Sequence, residues 1–115
     1  MGGPNPDLQR KLERQVFALA KSILDGRVPV LPNAQRMNAL LFRLGLRHDD
    51  RVKAAFTAMV SETAHLPIGT ERQYWAASAL SRKDEEIAEA EAWARGLALE
   101  ACREIVLRYG GPVGS

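Results

Sequence analysis

The sequence is poor in the residues that chemistry uses most. Cys102 is its only cysteine, and His48 and His65 are its only histidines. A lone cysteine allows no internal disulfide and no thiolate cluster for zinc. Beside Ala101, Ile105 and Val106, Cys102 reads as a small buried hydrophobe in a reducing compartment. No apolar run reaches the length of a bilayer span, the densest stretches being broken by Arg or Lys. The opening "MGGPNPDLQRK" has no apolar h-region, and Pro6 stands where a myristoylation signal wants Ser or Thr. A soluble, cytoplasmic chain without membrane contact is expected. There is no G-x-S-x-G elbow, and no Gly-rich loop precedes a helix, so neither that nucleophile nor a P-loop or Rossmann phosphate cradle is present.

What the chain does have is helical periodicity. Its 115 residues suit one domain, residues 1–115, with flexible ends at about 1–6 and 110–115. A chain of this length buries roughly two thirds of its unfolded surface, enough for a core without staples. Leu8, Leu12, Val16, Leu19 and Ile23 mark one helix face, opened by "NPD" and closed by Gly26. "RVPVLPN" reads as an extended linker set by Pro29 and Pro32. Asn33 is the expected N-cap of a second helix, with Met37, Leu40, Leu41 and Leu44 inward and Gly45 at its end. Asp49 or Asp50 caps a third, whose buried stripe is Val52, Ala55, Phe56, Met59 and Val60.

After Pro67 and Gly69, "TERQ" has the form of a capping box and predicts a short fourth helix through "YWAASAL". Ser81 and Asp84 resemble a further cap, which starts the last helix near Arg82 and runs it to Tyr109. Its inner line is Ile87, Ala90, Ala94, Leu97, Ala101, Ile105 and Arg108, with Trp93 and Val106 beside it. The fold expected is all-α: a compact bundle of four to five helices with a long C-terminal helix.

Charge is uneven along the chain. Residues 1–57 carry ten Lys and Arg against five Asp and Glu, while residues 58–115 carry six against nine. A basic half joined to an acidic half permits nucleic-acid contact, and equally lets the halves attract each other. Arg36, Arg43, Arg47, Arg51 and Lys53 cluster around a helix–Gly–helix segment and are the candidate nucleic-acid contacts. Against that, the third helix offers few polar side chains to read bases, and Phe42 and Phe56 fall on the apolar stripe.

Glu62 and His65 have the E-x-x-H spacing of di-iron helices and are the metal candidates. Such a site needs a second pair, and His48 has no Glu three residues before it. The economical reading makes His65 a helix-end residue before Pro67, donating to exposed carbonyls. Glu85, Glu86, Glu89 and Glu91 read as a solvated face. No catalytic residue, metal or cofactor is assigned.

Three segments carry a family resemblance: "QVFALAKSILDGRVPVLPNAQRMNALL", "ETAHLPIGTERQYW" and "EAEAWARGLALEACREIVLRY". Together they resemble a small bacterial all-helical domain family of unknown function, over about residues 15–109. The resemblance implies a helical fold and brings no activity, cofactor or site. Some members of that family carry an N-terminal membrane anchor.

The function expected is therefore a non-catalytic binding or regulatory module acting through protein–protein contacts. A nucleic-acid-binding protein using the basic half is the alternative, and a metal-dependent enzyme with Glu62 and His65 comes after it. A homodimer is expected, with Ile87, Ala90 and Trp93 at the contact, because the start of the last helix has little apolar surface of its own to pack.

Overall fold

Helix α1, Pro6–Leu24, begins where Asn5 accepts hydrogen bonds from the amides of Asp7 and Leu8, with Pro6 in the first turn, where no N–H is missed. It closes at Gly26, whose φ of 71° lets the Arg27 amide reach back to the Ser22 carbonyl. The computed structural model describes residues 5–68 and 73–110. Among the described residues there are four helices and no strand, as the periodicity predicts.

Helix α2, Leu31–Arg43, starts earlier than expected. Pro32 lies inside its first turn instead of in a linker, a position proline tolerates. Asn33 is not the cap; its side-chain amide donates to the Pro29 carbonyl. The helix closes at Gly45, φ 84°, with the Leu46 amide on the Leu41 carbonyl. Helix α3, Arg51–Glu62, is capped by Asp50, which accepts from the Val52 and Lys53 amides.

Helix α4, Ala77–Tyr109, is a single element of 33 residues. The separate short helix and the cap at Ser81 and Asp84 are overturned. Gln73 and Tyr74 form only a 3₁₀ turn, and Ala77–Leu80 are already the first turn of α4. No Gly or Pro lies between Ala77 and Arg95 to stop it. The "TERQ" box itself falls mostly on residues 69–72, outside the described residues. At 1.5 Å per residue α4 is about 50 Å long, close to the 51 Å long axis of the molecule.

The helices form a closed square: α1 packs on α4, α4 on α3, α3 on α2 and α2 on α1. Val16, Ala20 and Ile23 of α1, Met37 and Leu41 of α2, Phe56 and Met59 of α3, and Ala94, Ala98, Cys102 and Ile105 of α4 are fully buried. The inner face of α4 is mostly small residues, which lets its neighbours approach closely. Its first turns extend past this square. Glu91, Ile87 and Glu86 are among the points at which that extension is tied back to the rest of the chain.

Candidate functional site

The region around Glu62 and His65 is built by the way α3 ends. Thr63 is buried and its hydroxyl donates to the Met59 carbonyl, so the helix end is closed by Thr63 and not by His65. Glu62 is the last residue of α3, and His65 lies in the turn beyond it, so the two do not share a helical face. Leu66 is buried and Ile68 half-buried against the core, which brings residues 63–68 alongside α4. His65 then lies with Nε2 2.9 Å from Glu86 Oε2.

Two hollows flank this segment, each of ≈ 390 Å³. The first is lined by Glu62, Thr63, His65 and Leu66 on one side and Glu86, Glu89, Ala90 and Trp93 on the other. Trp93 is 43% exposed there. The second is more apolar, with Pro29, Leu31, Pro32 and Ile68 facing Asp84, Ile87, Ala88 and Glu91. Smaller hollows lie beside Arg51 and Glu104, and between Leu31 and Leu66.

The first hollow is acidic. The hydrogen bond from His65, reinforced by Lys83, holds the Glu86 carboxyl below the ordinary glutamate range. Glu62 and Glu89 have no hydrogen-bond or ion-pair partner among the described residues. No group of three His, Cys, Asp or Glu among the described residues is arranged to hold a metal ion.

The run Glu85–Glu91 is thus more than a solvated face. Only Glu85 has that character alone. Glu86 holds His65, Glu89 lines the hollow, and Glu91 caps α2 from sixty residues away, its two oxygens accepting from the Val30 and Leu31 amides at 2.6 and 2.9 Å. A signal for Glu91 exists in the sequence: "VPVLP" offers no capping side chain, so the first amides of α2 need an acceptor from elsewhere.

The basic cluster does not act as one surface. Lys53 is buried, with Nζ donating to Thr57 Oγ1 and that hydroxyl donating to Asn38 Oδ1, so it is not placed to meet a phosphate. Arg47 pairs with Asp49, and Arg51 lies 3.6 Å from Glu104. Arg36 and Arg43 are exposed and without a partner among the described residues. Between them on α2, Phe42 is 73% exposed, against its expected place on the apolar stripe. Helix α3 is wedged between α2 and α4 and leaves Arg51, Ala54, Ser61 and Glu62 exposed, a poor set for reading base edges.

At the opposite end of the bundle, Asp50 accepts both an α3 cap and the guanidinium of Arg108, at 2.9 and 3.2 Å, while Arg108 also donates to Glu104. Burial alone would raise the Asp50 carboxyl, but Arg108 and the Val52 and Lys53 amides outweigh it and hold the group below its ordinary range.

No curated protein and no solved structure matches the chain. A family described as "Protein of unknown function (DUF2489)" matches over residues 7–105. That span takes in all of α2 and α3, the turn with His65, and α4 as far as Ile105, and the chain belongs to the DUF2489 family.

Proposed function

We propose that this domain is a non-catalytic binding module that receives a segment of another protein in the hollow between residues 62–66 and α4. The observation that carries the reading is Trp93. Trp93 stays 43% exposed at a shallow, open hollow, although α4 has a buried face on the same turn at Ala94. Exposed aromatics in hollows are the usual anchors of protein interfaces, where they contribute much contact area at small entropic cost. The site offers no nucleophile with a base, and His65 is engaged with Glu86.

Site-directed photocrosslinking in the native cell tests this. Benzoylphenylalanine in place of Trp93 should give one discrete protein adduct. The same group in place of Leu107, an 81% exposed residue on the same helix, lies about 21 Å away along the axis and should give none. Equal labelling at both positions, or no adduct at position 93, removes the reading. An adduct to nucleic acid at position 93 removes the reading as well.

A further inference from the structure

Resting on that reading, we propose that the occupant of the hollow is a basic segment of a partner protein, seating an Arg or Lys side chain on the Trp93 indole with Glu62 and Glu89 as its counter-charges. The chemistry of the lining selects this occupant. Glu62, Glu86 and Glu89 line the hollow together with Trp93, and among the described residues only Glu86 is met, by His65 and Lys83. Glu62 and Glu89 contribute two further negative charges with no partner among the described residues. Polyanions such as nucleic acid or an anionic lipid surface would meet repulsion here, and a wholly apolar segment would leave both charges idle. A cation over an indole gains from the ring's negative face, and the gain grows as the site loses water. Leu66 and Ala90 supply the apolar wall against which an Arg or Lys stem can lie.

A polypeptide fits better than a free amine because a hollow of ≈ 390 Å³ takes more than one side chain and offers apolar contact at Leu66, Ala90 and Trp93 beside its carboxylates.

The test uses the full chain carrying Trp75→Phe, so that Trp93 is the only tryptophan. Its emission is followed while an eight-residue blocked peptide of alternating Arg and Ala is added. In parallel the same peptide is used with every Arg replaced by neutral, near-isosteric citrulline, and spermine is used as the free polyamine. The arginine peptide should give a saturable change that weakens with salt. The citrulline peptide should bind at least about tenfold more weakly, as should the arginine peptide on the Glu62→Gln, Glu89→Gln double variant. Equal affinity for the arginine and citrulline peptides, no saturable response, or an unaffected double variant overturns the proposal. Spermine binding as tightly as the arginine peptide overturns the polypeptide assignment. The citrulline comparison stands even if the double variant folds poorly. An adduct at position 93 whose yield is unchanged by the double variant would sink the basic occupant and leave the binding-module reading standing. No adduct would sink that reading itself.

Discussion

Asp50 combines two roles in one carboxylate, and its variants separate them. Asp50→Asn keeps a capping oxygen for α3, since Asn and Asp are comparable caps, but loses the charge that meets Arg108. Both partners are about a quarter exposed, so the loss should be about 1–2 kcal/mol, between a surface pair and a buried charged hydrogen bond. Asp50→Ala should cost about 1 kcal/mol more, through the cap. The folded carboxyl titrates below the unfolded one, so the pair's contribution is full above about pH 4 and is lost as pH falls through the lowered value. Urea unfolding across that range should therefore show the wild type and Asp50→Asn converging in acid. Glu91→Ala strips the acceptor from the first amides of α2 and should cost about 1–2 kcal/mol in the same measurement. Burial pushes the Cys102 thiol up to about 12. An aromatic disulfide reagent at pH 8 should find it inert in the native protein and fully reactive in denaturant, whereas prompt native labelling would contradict its burial.

The elements were legible where the signals are local. Asn5, Asp50, Gly26 and Gly45 end or begin helices within a few residues of their own position, and each does so as the sequence indicates. The starts of α2 and α4 were not legible, for two different reasons. Asn33 is a good cap residue, but Glu91 of α4 supplies the acceptor from far along the chain, and no local pattern encodes that distance. Ser81 and Asp84 are good cap residues too, yet with no breaker around them the helix simply runs through. The site was legible in part. Glu62 and His65 do line one hollow, and Trp93 lacks a full cover, but the partnership of His65 with Glu86 depends on how residues 63–68 fold back. Gly96 lies in the interior of α4. A Cβ there meets nothing within 4 Å, so it serves neither close approach nor packing. Gly96→Ala should raise stability by about 0.5–1 kcal/mol through helix propensity. Gly45→Ala, equally uncrowded but at φ 84°, should lower it by about 1–2 kcal/mol. Thermal denaturation of the two variants in parallel checks both signs.

For the whole molecule, the uneven charge of the chain is partly settled internally. Arg108 of the acidic half meets Asp50 of the basic half, and Arg51 of the basic half meets Glu104 of the acidic one, both at the same end of the bundle. The other end keeps its charge open, with Glu62 and Glu89 beside Trp93, and this is where the homodimer contact was expected. A second copy is the rival occupant there, because its own basic half could supply the cation. What weighs against it is how the seam is already covered. Ala90 packs on the core, and Ile87 is half-buried beside Pro29, Leu31, Pro32 and Ile68 of its own chain. Of the three residues expected at the seam only Trp93 is exposed, Ile87 and Ala90 being part-buried, and such a seam falls short of the roughly 800 Å² per partner of a standard stable interface. Light scattering at high micromolar concentration should thus return the mass of one chain. Ile87→Glu should leave that mass unchanged while lowering the unfolding free energy by about 1–2 kcal/mol, the cost of half-burying a charge where an isoleucine packed. A two-chain mass that falls to one with Ile87→Glu would instead place a second copy against the start of α4.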